Sequence, residues 1–232
     1  MPDAQRRQVL ITRPEPDATE TARLVAALGW EPAVAPLLQI QHASVEDRLE
    51  VDAVLVTSRN AIPALPAAYR SATLLAVGKA TAARAVAAGF SNVLDADGDA
   101  SDLAALAGRT LRPGAEVLLA HARGQGGKLA ASLREAGFLV HQRRAYAAWP
   151  VARLPEAARA AVAGDGLAAA LFLSAETARA FVRLLPDPLL PHLAGVDALT
   201  IGRPAAEALS PLPWRRVRVS VRPTLDHILA LL

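Results

Sequence analysis

Short apolar runs recur along the chain, each ending in a small or hydroxylated residue and giving way to a helical spacing of apolar positions. Val9, Leu10 and Ile11 run into Thr12, and a helix pattern follows over residues 17–28, closed by Gly29. Residues 53–57 lead into Ser58, Arg59 and Asn60; residues 74–77 meet Gly78, Lys79, Ala80 and Thr81, then an Ala-rich helix stopped by Gly89. Residues 117–120 meet His121, Ala122, Arg123 and Gly124, with a helix pattern over 128–136 and Gly137 behind it. Residues 170–173 meet Ser174 and a helix reaching Leu185; residues 199–201 meet Gly202, Arg203, Pro204 and Ala205. The last run, residues 217–221, precedes Pro223, Thr224 and a final helix. Near-continuous apolar strands alternating with helices predict parallel sheets covered on both faces, an α/β architecture.

Two of these units look duplicated. Residues 54–58 resemble 171–174, and residues 76–78 resemble 200–202, at offsets of 116 between Ser58 and Ser174 and 124 between Gly78 and Gly202. Offsets that close fit two similar α/β domains better than a solenoid, whose period is about 20–50 residues; strand–Gly–helix units common to any α/β protein are the plainer alternative. Two segments break the alternation. Residues 36–40 follow Glu31 and Pro32 with no helix after them, and residues 141–150 are polar and extended. Both read as connectors.

Composition narrows the chemistry. The 232 residues are 53% hydrophobic but only 4% aromatic, so the core must come from Ala, Leu and Val. With no cysteine, a disulfide framework, a thiolate nucleophile and Cys-ligated metal sites are excluded. No apolar run approaches the roughly 18–20 residues that cross a bilayer, and residues 1–8 are polar ahead of three apolar positions, so neither a membrane span nor a signal peptide is expected. A cytoplasmic location is the expectation. Lys79 and Lys128 are the only lysines among 25 Lys and Arg, leaving 23 arginines. The pI of 9.9 overstates basicity, because the formal charge is only +3 and little titrates between about pH 8 and 10. The arginines are scattered among acids, densest at Arg215, Arg216 and Arg218, without the contiguous stripe and interleaved aromatics of a nucleic-acid surface. No nucleic-acid partner is expected. Arginine suits forked recognition of carboxylates or phosphates.

Parallel α/β sheets bind ligands beyond the carboxyl ends of their strands, where helix N-termini offer unpaired N–H groups. Here those positions are Thr12 and Arg13, residues 57–59, Gly78 and Lys79, Arg123 and Gly124, Ser174, and Gly202 and Arg203. Small residues and nearby cations suit an anion with several negative groups. Helix capping is the alternative for Ser58 and Ser174, and a tight turn for Gly78 and Gly202. Residues 124–129 lack the third glycine of a dinucleotide fingerprint and the pattern of a P-loop. Asp95, Asp97 and Asp99 mimic the start of a calcium loop, but Ala100 stands at its glycine and Leu106 at its bidentate carboxylate; a polar turn with Ser101 capping the next helix is expected instead. His42, His121, His141, His192 and His227 have no metal-ligand spacing, and no nucleophile elbow occurs. His121, at a strand end, is either a general acid or base or a loop residue. Tyr146, one of two tyrosines, sits in the second connector. Its phenol either donates a proton to a leaving oxygen or simply packs its ring.

In order along the chain, Thr12-Arg13-Pro14, Pro36 to Ile40, Thr57-Ser58-Arg59-Asn60-Ala61-Ile62, Val77-Gly78-Lys79-Ala80-Thr81, Gly137 with Tyr146, Phe172-Leu173-Ser174, Ile201-Gly202 and Pro223-Thr224 resemble the uroporphyrinogen-III synthase family. The resemblance implies two α/β domains, each a parallel sheet flanked by helices, joined by two extended connectors with a cleft between them. It implies a discontinuous domain of residues 1–35 and 150–232, connectors at 36–44 and 142–149, and a second domain at 45–141. The implied reaction is cyclisation of hydroxymethylbilane, a small molecule with eight carboxylates, to uroporphyrinogen III with loss of water and inversion of ring D through a spiro intermediate, a lyase step without cofactor or metal. Tyr146 matches the family's tyrosine and is implied to assist departure of the hydroxyl. Ser58, Gly78, Thr81, Ser174 and Gly202 match positions lining the cleft, and Arg13 is implied to meet a substrate carboxylate. A monomer is compatible with this reading. The family's Thr three residues after the second Gly is Ala205 here, which removes a hydroxyl contact. A non-catalytic two-domain module binding an anionic metabolite is the alternative, and a nucleotide-sugar or phosphosugar enzyme is a third reading.

Overall fold

The structure is a computed structural model and describes residues 7–46 and 50–232. Residues 1–6, on which most of the polar start rests, and residues 47–49 lie outside the described residues. The chain runs β1 (Gln8–Ile11), α1 (Asp17–Ala27), β2 (Glu31–Val34), β3 (Leu38–His42), β4 (Ala53–Val56) and β5 (Thr73–Ala76). It continues through α2 (Lys79–Ala87), β6 (Asn92–Asp95), α3 (Ala100–Thr110), β7 (Glu116–Ala122), α4 (Gly127–Glu135) and β8 (Leu139–Pro150). Then come α5 (Glu156–Ala163), β9 (Leu167–Phe172), α6 (Ala175–Leu184), β10 (Asp197–Thr200), α7 (Arg203–Leu209), β11 (Arg216–Val219) and α8 (Leu225–Leu229). Shorter 3-10 helices occupy Arg59–Ala64, Ala67–Ser71 and Asp187–Gly195. The apolar spacing explains the helices: α1 buries Ala18, Thr21 and Val25, one stripe at the period of a helix. Gly137 then ends α4 at φ +90°, a conformation few other residues accept. The cap of α3 differs from expectation. Asp99, not Ser101, is the cap; its carboxylate accepts from the N–H groups of Ser101 and Asp102, and the Asp102 carboxylate accepts the N–H of Asp99 in return.

The chain divides into two compact units, Met1–Gln39 with Trp149–Leu232, and Ile40–Ala148. The first holds a five-stranded sheet in the spatial order β2-β1-β9-β10-β11, every pair parallel. Successive residues of β9 feed opposite faces. Ala170 and Phe172 join a cluster with Ala158 and Val162 of α5, Phe181 of α6 and Leu209 of α7. Ala169 and Leu171 join another with Val25 of α1 and Ile228 of α8. Three layers result, as the apolar runs of doubly covered strands require.

The second unit holds a six-stranded sheet, β3-β8-β7-β4-β5-β6, with β8 through β6 parallel. One face packs on α2 and the 3-10 helix Arg59–Ala64, through Ala85, Ala61 and Ile62. The other packs on α3 and α4, through Leu103, Leu129 and Leu133. Both segments read as connectors are extended, yet both are also sheet members. Residues 38–42 form β3 and residues 142–149 lie within β8, which pairs with β7 from Leu139 to Tyr146. The reason is backbone satisfaction: Ala43 N–H donates to Ala145 O at 2.8 Å, and Val151 N–H to Leu37 O at 3.0 Å, an antiparallel course.

Leaving β3 aside, the two sheets share one spatial plan. The order β2-β1-β9-β10-β11 in the first is matched by β8-β7-β4-β5-β6 in the second. The chain enters that plan at β1 in one unit and at β4 in the other, so the units are related by a circular permutation. Each sheet reverses direction of growth once, between β1 and β9 and between β7 and β4, the switch points at which such sheets bind ligands.

Candidate functional site

In the second unit, β4 ends at the switch point and delivers Ser58. Its backbone is extended, and its Oγ accepts the N–H of Asn60 at 3.2 Å, opening the 3-10 helix. Beside it β5 delivers Gly78, the N-cap of α2, with no side-chain cap. Gly78 has φ −169°, which any residue adopts, so a tight turn does not explain it. A Cβ placed there would meet nothing within 4 Å; the glycine leaves bare backbone next to open space. Thr81, 6% exposed, sits one turn in, its N–H on Gly78 O at 3.0 Å. Lys79 pairs with Asp97 at 3.3 Å, both side chains largely exposed.

In the first unit, β9 delivers Ser174 and β10 delivers Gly202. Ser174 Oγ accepts the N–H of Thr177 at 3.1 Å and lies 2.7 Å from Thr177 Oγ1. Gly202 repeats the conformation of Gly78, with φ −177°. Ala205 takes the place of Thr81, 2% exposed with its N–H on Gly202 O at 3.1 Å. Pro204, without an N–H, takes the place of Ala80. Each unit therefore brings its serine and its glycine together at the carboxyl ends of neighbouring parallel strands.

Arg13 is held within its own unit. Its guanidinium bonds Asp17 at 2.7 Å and Thr21 at 3.1 Å inside the same unit, with the side chain 11% exposed. The cause is local: Asp17 and Thr21 follow at spacings of four along α1 and reach back toward the turn. Neighbouring Thr12, fully buried, donates to Leu171 O at 2.6 Å and ties β1 to β9 at the switch point. Sequence reasoning passed over Asp17, Thr21 and this tie, although the spacing of four from Arg13 was a usable signal.

Tyr146 lies in β8, 7% exposed, in the apolar cluster that also contains Val56, Ala61, Ile62 and Ala76. Its carbonyl accepts the N–H of Arg123 at 2.8 Å. Its ring is thus packed, on the sheet face that also carries α2 and the 3-10 helix after Ser58. His121 is half-buried, its Nδ1 2.8 Å from Ala122 O, with its ring against Gly126. At the other end of the strands, the Asp52 carboxyl is held below its ordinary value by the N–H of Glu116 and then by Arg112. A hollow of about 510 Å³ lined by Asp52, Tyr69 and Thr73 lies at that amino end, away from Ser58 and Gly78. Among the described residues, no three His, Asp or Glu side chains gather as metal ligands, and no helix is long and apolar enough to cross a membrane.

Comparison with known proteins gives a consistent result. A family model described as Uroporphyrinogen-III synthase HemD matches residues 19–230. No curated protein is a match. Among solved structures, the chain is similar to uroporphyrinogen-III synthetase from Helicobacter pylori, at 17% identity, a TM-score of 0.64 and 97% coverage of each chain. It is also similar to a mutant uroporphyrinogen III synthase from the extremely thermophilic bacterium Thermus thermophilus, at 21% identity, a TM-score of 0.52 and 96% coverage of each chain. At these identities the structural likeness carries the fold alone.

Proposed function

The chain belongs to the uroporphyrinogen-III synthase family, and from that premise we propose that it closes hydroxymethylbilane to uroporphyrinogen III. Ring A loses its hydroxyl as water, ring D attacks through its substituted carbon to give a spiro intermediate, and fragmentation with reclosure inverts ring D. The pyrroles are already reactive, so the protein's main task is to hold the two ends in one geometry. Tyr146 donates a proton to the departing hydroxyl. Ser58, Gly78 and Thr81 of the second unit and Ser174 and Gly202 of the first bind the substrate. The backbone N–H groups after each glycine and the hydroxyl of Thr81 are suited to its carboxylates. Arg13, oriented by Asp17 and Thr21, meets a substrate carboxylate. The step is a lyase reaction, and cytoplasmic action as a monomer belongs to the same proposal.

The observation that carries this reading is the family match over residues 19–230; the repeated serine and glycine turns support it. The test is to supply freshly made hydroxymethylbilane and separate the isomers of the oxidised product. Type III product is expected. Only the symmetric type I isomer, which forms without enzyme, would overturn the proposal. Pro204 and Ala205, which remove an N–H and a hydroxyl from the turn after Gly202, favour one second reading, a non-catalytic module for an anionic metabolite. That reading predicts saturable tetrapyrrole binding with no type III product.

A further inference from the structure

The pairing of β7 with β8 slips by one residue. Ala120 pairs with Arg143 and His121 with Arg144, but Ala122 pairs with Tyr146. Ala145 is the extra residue of a β-bulge. Along β7 the faces alternate without interruption: Leu118, Ala120 and Ala122 enter the cluster on the side of α2, and Val117 and Leu119 the cluster on the side of α3 and α4. Partners in register share a face. Val140, partner of Val117, accordingly packs on the α3 and α4 side, and Gln142 and Arg144 follow it at the period of two. An unbroken β8 would send Tyr146 to that side as well. Instead, Ala145 and Tyr146 in succession join the cluster on the α2 side, with Ala61 and Ile62 behind Ser58 and Ala76 before Gly78.

We infer that Ala145 is a positioning residue: the bulge it forms turns the Tyr146 phenol onto the same face of the second unit as the Ser58 and Gly78 turns. The bulge is held in place from both sides. The Ala145 carbonyl, out of the ladder with β7, accepts the N–H of Ala43 at 2.8 Å, and the Tyr146 carbonyl accepts the N–H of Arg123 at 2.8 Å. Ala145 is fully buried, so the bulge has no room for a larger side chain without moving its neighbour. This inference rests on the proposed role of Tyr146, and the experiment separates the two.

The experiment is a cycle in kcat with hydroxymethylbilane as substrate, combining Tyr146→Phe with Ala145→Val. Circular dichroism and melting establish that each variant folds. The added methyls of Ala145→Val crowd the buried bulge and shift the residue that follows it. The substitution is expected to lower kcat by about 10²-fold, as misplacement of a reacting group does, with KM little changed. In the Tyr146→Phe background the same substitution is expected to have no further effect on kcat, because a group that acts only through the phenol has nothing left to position. If the two losses multiply instead, or if Ala145→Val leaves kcat at the wild-type level, the inference is overturned while the role of Tyr146 stands. If Tyr146→Phe alone keeps full turnover, that role is overturned and the inference with it. Should Ala145→Val not fold, Ala145→Gly, which loosens the bulge backbone, takes its place in the cycle with the same outcomes.

Discussion

The two units share a strand order and differ in what hangs on it. In each, a serine ends the third strand of the common plan and a glycine the fourth, with nearly identical extended backbones. The strand at the far side of the switch is where they part. In the first unit it is β2, four residues long; in the second it is β8, twelve residues long, carrying the bulge and Tyr146. The turn after the glycine differs too, with Ala80 and Thr81 in the second unit and Pro204 and Ala205 in the first. A repeated scaffold thus leaves the same serine and glycine turns in both halves, while the hydroxyl of Thr81 and the phenol of Tyr146 belong to the second. Under the proposed function, both units bind the substrate and the second also transfers the proton.

The largest test of that division is Tyr146→Phe. It is expected to lower kcat by about 10–10³-fold, the range of one proton-transfer contribution, while binding of hydroxymethylbilane changes little. Equilibrium binding and single-turnover measurements separate the two quantities. Unchanged turnover would assign Tyr146 to packing and make the units alike in function as well as in plan.

A smaller effect is expected from making the glycine turns alike. Thr81→Ala gives the second unit the residue that the first has at Ala205. Loss of one hydroxyl hydrogen bond, about 0.5–1.5 kcal/mol net, is expected to raise KM by about 2- to 10-fold with kcat little changed. Thr81→Ser, which keeps the hydroxyl, is expected to retain most of the binding. Equal KM values for all three proteins would remove Thr81 from the substrate site.

The serines are compared by stability. Ser174 accepts the Thr177 N–H and contacts its hydroxyl, at the head of a full α-helix; Ser58 has one longer bond at the head of a 3-10 helix. Ser174→Ala is expected to cost about 1 kcal/mol, a melting shift of about 2–4 °C, and Ser58→Ala less. Thermal melts of both variants check the order. The reverse order would mean that the shorter helix depends more on its cap than its geometry implies.

Much of this plan was legible because doubly covered parallel strands write themselves as continuous apolar runs, and β1, β4, β5, β7, β9 and β10 all fall on such runs. Edge strands do not. Pro32 is tolerated in β2 because that strand pairs only with β1, so its missing N–H is no loss, and the sequence there looks like a turn. The half-exposed β6 hid in the same way, its last residue Asp95 falling in the acidic stretch that mimics a calcium loop. The serine and glycine turns could be read from local patterns, since each lies where an apolar run stops. The permutation could not, because it depends on which strands pair across a hundred residues. Nor could the bulge, since a single extra residue in a strand reverses every later side chain without changing composition. Arg13 illustrates the converse: its partners Asp17 and Thr21 were within reach of helix spacing, and only the folded turn decides that the guanidinium goes to them.

The smallest effect concerns how each sheet is anchored at its amino end. In the first unit Asp197, at the start of β10, pairs with Arg215 at 2.8 Å. In the second, Asp52 accepts the Glu116 N–H at 2.8 Å and pairs with Arg112 at 3.1 Å, joining the starts of β4 and β7. Because these partners hold the Asp52 carboxyl below its ordinary value of 3.8, the unfolded chain takes up the proton first. The stabilisation is therefore fully present above that ordinary value and is lost as pH falls through the lowered one. Asp52→Asn is expected to melt slightly below the parent at neutral pH, with the gap closing below about pH 4 as the parent carboxyl is neutralised. The exposed Arg112 makes the arginine part of this gap sensitive to salt, so added salt should shrink it without abolishing the contribution of the Glu116 N–H. A melting difference that stays constant from neutral to acid pH would mean that Asp52 acts through shape rather than charge, and the two anchors would then differ in kind.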